Sequence, residues 1–147
     1  MIEENSTDVR DRLRGAGLRA TMPRIAVYEA LRDAGGHHGV DEIVTLIELR
    51  GARLSRMTVY NVVSDLREAS LVMCADAGPG RALYEVSDVW HHHFVCRRCG
   101  EVADVPCLKG RKPCLEPSTP IGATVDEAQI IFRGLCHNCQ SESPANP

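Results

Sequence analysis

Two C-x-x-C pairs near the C-terminus constrain this chain more than any other feature. They are Cys96-Arg97-Arg98-Cys99 and Cys136-His137-Asn138-Cys139. Two residues between cysteines let both sulfurs face one ion from a single tight turn. Two such turns supply four thiolates to a tetrahedral Zn²⁺ at about 2.3 Å. The stretch from Cys99 to Cys136 is long for a zinc ribbon, but loop-closure entropy grows only logarithmically with length. Gly100 follows the first pair, where the backbone angle is often unusual. The rival chemistries are a thioredoxin-like dithiol and unligated core cysteines. Neither pair reads as opening a helix inside a βαβ unit, which argues against the dithiol. Four satisfied thiolates leave no open position, so a zinc held this way is structural and not catalytic.

Composition explains why a staple is needed. The 147 residues are 44% apolar and 25% charged, as expected of a globular chain. The aromatic residues are only Tyr28, Tyr60, Tyr84, Trp90, Phe94 and Phe132, so two cores built from this chain would each be small and aliphatic. Every cysteine except Cys74 lies beyond residue 87. Apolar runs such as Ile43–Leu49 are too short to span a bilayer, and the N-terminus is acidic and polar. A cytoplasmic protein without a membrane partner is expected, with its thiols kept reduced.

The expected fold class is α+β, an N-terminal winged helix-turn-helix followed by a small α/β unit with the four-cysteine zinc site. Thr7 is positioned to cap a helix carrying Val9 and Leu13 and stopped at Gly17. Thr21 and Pro23 open a second, which ends at Gly35-Gly36. A third spans about Val40 to Leu49, with Gly51 after it. Ser55 caps a fourth, with Val59, Val63 and Leu66 facing inward. Leu71–Cys74 and Ala82–Val86 flank Gly78-Pro79-Gly80 as a hairpin. Beyond it, Phe94–Cys96, Glu101–Val105 and Ala128–Phe132 read as strands, and Pro106–Gly122 as an irregular loop. The expected divisions are 1–86 for the winged helix, 87–90 for a hinge, 91–140 for the metal-binding unit and 141–147 for a disordered tail.

The run His91-His92-His93 precedes the first cysteine pair. On an extended chain His91 and His93 point to one side and His92 to the other. Two imidazoles on one face make half of a metal site, although a polar linker with incidental histidines gives the same spacing. Glu85, Asp88 and Asp104 are candidate carboxylate partners, and His37-His38 is a second pair. Imidazole and carboxylate donors suit Fe²⁺, Mn²⁺, Ni²⁺ or Zn²⁺ without choosing among them.

The first half is locally basic in spite of the net charge of −3. Arg10, Arg12, Arg14, Arg19 and Arg24 cluster, as do Arg50, Arg53 and Arg56, and Arg81 lies on the hairpin. Solvated helix faces would look the same. In a winged helix, the helix after Ser55 would enter the major groove of double-stranded DNA, where a local basic face is sufficient for phosphate contact.

Together these stretches resemble the ferric uptake regulator family of bacterial metal-dependent repressors. The resemblance rests on Gly17-Leu18-Arg19-Ala20-Thr21-Met22-Pro23-Arg24, His37-His38-Gly39-Val40-Asp41-Glu42-Ile43 and Ser55-Arg56-Met57-Thr58-Val59-Tyr60-Asn61. It continues through His91 to Gly100 and through Gly134-Leu135-Cys136-His137-Asn138-Cys139. It implies a homodimer on palindromic operators, a structural Zn²⁺ on Cys96, Cys99, Cys136 and Cys139, and DNA contacts from Arg19, Ser55, Arg56, Thr58, Tyr60 and Asn61. It also implies a regulatory ion, Fe²⁺ or Mn²⁺ with Zn²⁺ or Ni²⁺ as alternatives, on His37, Glu85, His91, His93 and Asp104. One ion on all five would fix the angle between the two halves and so link metal binding to operator binding.

Aspartate at 104 resembles the peroxide-sensing, catalase-linked branch. There, peroxide reacting at Fe²⁺ oxidises a histidine ligand, corresponding here to His37 or His91, and the repressor releases DNA. Glu85 departs from that branch, which usually has Asp, and so leaves open an iron, zinc or nickel homeostasis regulator. Trp90 and Ala128 replace ligands of a third metal site found in many members. That site is therefore expected to be absent, with His92 a surface residue. Cys107 and Cys114 are expected to be free loop thiols, with a redox pair as the alternative. An enzymatic metal site is the reading from a different class, but no general base or substrate pocket accompanies these motifs. A purely structural zinc module is the remaining one.

Overall fold

The Ser55 side chain accepts a hydrogen bond from the Thr58 backbone N–H at 3.1 Å and starts α4 (Arg56–Glu68), as its spacing predicts. Val59, Val63 and Leu66, one helical face apart, are fully buried beneath it. The computed structural model describes residues 2–142 other than Asp88, with side chains from Asp8 onward. The chain divides between Asp88 and Val89 into two compact units.

In the first unit, α1 (Ile2–Gly15), α2 (Met22–Ala34) and α3 (Val40–Leu49) precede α4. Helix α1 begins earlier than expected, so Thr7 lies within it and not at its cap. The sequence before Thr7 includes glutamates at positions 3 and 4, residues of high helix propensity. Thr21 is the N-cap residue of α2 by backbone conformation but makes no side-chain capping bond, and Pro23 sits in the first turn. Gly35 ends α2 with a φ of 63°, where a side chain would be strained. Val9, Leu13, Val27, Tyr28, Leu31, Ile43 and Ile47 pack with the buried face of α4 into one core. Arg24 reaches Asp65 at 2.8 Å and ties α2 to α4.

After α4, Val72 is drawn into that core, so the hairpin begins two residues later than the pattern suggests. Strand β1 (Met73–Asp76) pairs antiparallel with β2 (Ala82–Glu85), in the register Met73 to Glu85. The Asp76 side chain accepts from the Gly78 N–H at 3.0 Å and tightens the turn. Four helices followed by a hairpin form the winged-helix arrangement. His38 extends its edge, exchanging backbone hydrogen bonds of 3.0 and 2.8 Å with Tyr84.

In the second unit, β3 (His91–Cys96) is the middle strand of three. It runs antiparallel to β4 (Val102–Pro106) and parallel to β5 (Ile131–Gly134). Parallel pairing requires a crossover, and residues 107–130 provide it without a helix or strand. A short α5 (His137–Ser141) follows, with Cys136 as its N-cap residue. The second cysteine pair therefore opens a short helix. That helix follows β5 and does not bridge two parallel strands, so the thioredoxin-like arrangement is still not formed. Ser141 belongs to α5, so the expected tail starts too early, and residues 143–147 lie outside the described residues.

Candidate functional site

The first C-x-x-C turn is closed by the Gly100 N–H, which donates to the Cys96 carbonyl at 3.0 Å, with Gly100 at a φ of 78°. The Arg97 N–H donates to the Gly134 carbonyl at 2.8 Å and brings the turn against the end of β5. The Arg98 guanidinium reaches the Cys139 carbonyl at 2.9 Å. These contacts gather the ligand atoms of Cys96, Cys99, Cys136 and Cys139 within 4.8 Å of one another. Cys99 and Cys136 sulfurs are 3.7 Å apart. A tetrahedron with 2.3 Å arms has edges of about 3.8 Å, so the spacing suits a Zn²⁺ and is far too long for a disulfide.

The environments of these thiols differ. The Cys136 N–H and the Cys99 backbone hold the Cys96 thiol down to about 6. Burial, followed by contact with the Cys136 sulfur, pushes Cys139 up to about 12. The four sulfurs cannot all be thiolates until a divalent cation balances them.

A second set of donors sits on one face of the β3–β4 pair. His93 lies opposite Asp104 in the register, and His91 is two residues earlier on the same face. His91 Nε2 is 3.2 Å and His93 Nε2 3.8 Å from the same Asp104 oxygen, and the two rings stand 4.8 Å apart. The Nδ1–H of His91 donates to the Val89 carbonyl at 2.8 Å. In a neutral ring this leaves the Nε2 lone pair facing a carboxylate, an arrangement that a proton or a metal ion between them stabilises. His93 is fully buried and His91 nearly so.

In the first unit, the His38–Tyr84 bridge places His37 alongside Glu85, with His37 Nε2 3.2 Å from the carboxylate. Glu85 is 6% exposed, so its carboxylate sits beside His37 largely out of water. His38 instead contacts Glu42 at 3.1 Å and the Gly35 carbonyl at 2.6 Å, which anchors the turn before α3.

His92 departs from its expected surface position. It is 5% exposed, and its Nε2 lies 3.2 Å from the Cys114 sulfur. Burial, then the neighbouring His91 and His93 rings, lower its pKa. Cys107 and Cys114 are free cysteines of the crossover loop, but Cys114 is buried and Cys107 half-buried, and both lie beside His92. Burial works against the Cys107 thiolate, but backbone N–H groups of Lys109, Gly110 and Arg111 and the Cys114 side chain outweigh it and lower the pKa.

On the first unit, Tyr60 and Asn61 are exposed on α4, as a groove-reading helix requires. Arg10, Arg14 and Arg19 line one depression beside the α1–α2 turn. Ser55 and Thr58 are engaged in the cap, their hydroxyls 2.9 Å apart. Arg56 pairs with Asp41 at 2.7 Å, an exposed ion pair that exchanges at little cost. Arg24 and Arg50 are held by Asp65 and Asp33, which takes them out of a uniform basic face.

The ferric uptake regulator family model matches residues 15–114. The chain belongs to the ferric uptake regulator family. The transcriptional regulator FurA of Mycobacterium tuberculosis is 42% identical over 134 residues, covering 90% of each chain. Ferric uptake regulation protein 1 of Mycolicibacterium fortuitum is 39% identical, covering 85% of this chain and 78% of its own. Among solved structures, the Helicobacter pylori ferric uptake regulator superposes with a TM-score of 0.68 at 20% identity, over 97% of both chains. The Campylobacter jejuni peroxide stress regulator gives 0.61 at 21% identity, over 90% of this chain and 97% of its own. The fold is thus that of the family, and the protein is a metal-dependent transcriptional regulator of the DNA-binding Fur class. Among the described residues, no helix is long and apolar enough to cross a membrane.

Proposed function

We propose that the protein is a cytoplasmic, homodimeric repressor that binds palindromic operators when metal-loaded and releases them on exposure to peroxide. The observation that carries this reading is the His91, His93 and Asp104 donor set, with His91 oriented by the Val89 carbonyl. Cys96, Cys99, Cys136 and Cys139 would hold the structural Zn²⁺. The regulatory ion, Fe²⁺ or Mn²⁺, would be held by that donor set together with His37 and Glu85. These nitrogen and oxygen donors accept Fe²⁺ or Mn²⁺, and do not by themselves select against Zn²⁺ or Ni²⁺. Bound Fe²⁺ would supply the electrons that activate peroxide beside an imidazole.

The residues contribute orientation. The Val89 carbonyl holds the His91 proton on Nδ1 and frees Nε2 for ligation. Because His37 and Glu85 belong to the first unit and the other three to the second, a shared ion would link metal occupancy to the placement of α4. Metal and operator would then strengthen each other's binding equally. Arg19, Tyr60 and Asn61 would contact DNA, with Arg56 released from Asp41, while Ser55 and Thr58 would support the start of α4.

Gel shift with operator DNA and Mn²⁺, then with Fe²⁺ and peroxide, tests the reading. Binding in both metal forms, loss only in the Fe²⁺ form after peroxide, and a gain of about 16 Da on His37 or His91 are expected, from insertion of one oxygen. Peroxide-insensitive binding of the Fe²⁺ form would refute peroxide sensing. Glu85, a longer arm than aspartate, favours the second reading, a metal-homeostasis regulator, which metal-selective binding without a peroxide response would support. His91→Ala should raise the metal concentration needed for operator binding by more than about tenfold.

A further inference from the structure

We propose that His92, Cys107 and Cys114 form a metal site of their own, built for a thiophilic cation, Zn²⁺, that pins the crossover loop to the sheet. The three residues come from β3, from the residue after β4 and from the loop, and their ligand atoms lie within 4.8 Å of one another. His92 Nε2 and the Cys114 sulfur are 3.2 Å apart. The corresponding nitrogen–sulfur edge of a zinc tetrahedron is about 3.6 Å, so ligation needs only a small opening of this pair. His92 is the alternate residue between His91 and His93, so its ring leaves β3 on the opposite face. This site shares no residue with the four-cysteine site or with the His91, His93 and Asp104 set.

The surroundings keep the three donors in place without an ion. The Trp90 ring stands edge-on to His92, with centroids 6.2 Å apart. Lys112, between the two cysteines in sequence, lies over the Trp90 ring and reaches Glu127 at 3.4 Å. Those contacts fold the loop carrying Cys114 back over His92. Charge selects the ion. Two cysteines that lose their protons on binding offset a divalent cation, leaving a neutral centre suited to a place where His92 and Cys114 are both over nine-tenths buried. Two sulfurs and one imidazole favour zinc over the harder Fe²⁺ and Mn²⁺. Ligation through Nε2 places the imidazole proton on Nδ1 and gives up one long contact, 3.4 Å from the Ile130 N–H. The fourth position is left for an exogenous ligand.

The test uses the full chain purified under reductant, with zinc counted per protomer by mass spectrometry of the metal. Cys107→Ser with Cys114→Ser should lose one equivalent of zinc relative to the unsubstituted protein, as should His92→Ala, while the four-cysteine site keeps its own. In the unsubstituted protein, titrated zinc should slow alkylation of Cys107 and Cys114 by about tenfold or more, a ligand-protection effect. Equal zinc content in folded variants, or alkylation that ignores zinc, would overturn the site. So would a Cys107–Cys114 disulfide that persists under reductant, which would show a redox pair instead.

Discussion

Removing zinc should unfold the second unit and leave the first folded. Among the described residues, the buried apolar side chains of residues 89–142 are Val95, Cys96, Cys114, Cys136 and Cys139. Val95 is the one aliphatic among them. Burying a valine contributes about 1.5–3 kcal/mol, while each residue ordered costs about 1–2 kcal/mol of backbone entropy. A structural zinc contributes about 10–16 kcal/mol of folding free energy. The metal therefore outweighs the aliphatic core of this unit several-fold. The first unit has no such dependence, since its helices bury Leu13, Tyr28, Leu31, Ile43, Ile47 and Leu66.

The perturbation is a strong chelator, or Cys136→Ser, at fixed protomer concentration. Hydrogen exchange provides the readout by segment. The amides of Phe94 and Val95 should lose protection, while those of Val59 and Leu66 retain it. Calorimetry should show one lost transition and one retained. Cys96 and Cys136 are buried and form a cluster with Phe94 and Leu135, so the exchange change should reach β3 and β5 and not stop at the knuckles. If Phe94 and Val95 stay protected in reduced, zinc-free protein, the claim that metal replaces a core in this unit is wrong.

The remaining predictions concern the first unit. Ser55→Ala removes the capping bond to Thr58 and should destabilise the unit by about 1 kcal/mol, read as a lower urea midpoint with an unchanged slope. The Arg32 hydrogen bond, assisted by Arg50, holds the Asp33 carboxyl below its usual 3.8. Such a group stabilises the fold above about pH 4, and the contribution disappears as pH falls through the lower folded value. Asp33→Asn should therefore cost at most about 0.5 kcal/mol at pH 7, because the pair is partly solvent-screened, and nothing in strong acid. On the proposed interface, Asn61→Ala should weaken operator binding by about 1–3 kcal/mol without changing the salt slope. Arg19→Ala should instead reduce that slope by about one.

Local signals made the first unit legible. Glycines at 35 and 51, Pro23 in a first turn and the Ser55 cap each act within a few residues, so the helices they bound can be found without knowing the tertiary structure. Thr7 misled because a capping side chain only permits a helix start, and the residues before it also favour helix. The site residues of the second unit were legible from spacing, since alternation along one strand places His91 and His93 together. The partner of that pair was less so: Asp104 joins them through antiparallel register, which the sequence alone does not set.

His92 shows where periodicity stops being sufficient. Alternation correctly sends it away from His91 and His93, but facing away from one site is not the same as facing water. β3 is the central strand, flanked by β4 and β5, and both of its faces are covered. The cover on the His92 side comes from a loop without regular structure, so no hydrophobic pattern announces it. What does announce it is chemistry: Cys107 and Cys114 bracket Lys112, and all three converge on Trp90 and His92. In a unit with so little aliphatic core, polarizable and metal-binding side chains take the positions that larger domains fill with leucine. The buried cysteines and histidines here should therefore be read first as parts of folding-linked sites, and only then as reactive groups.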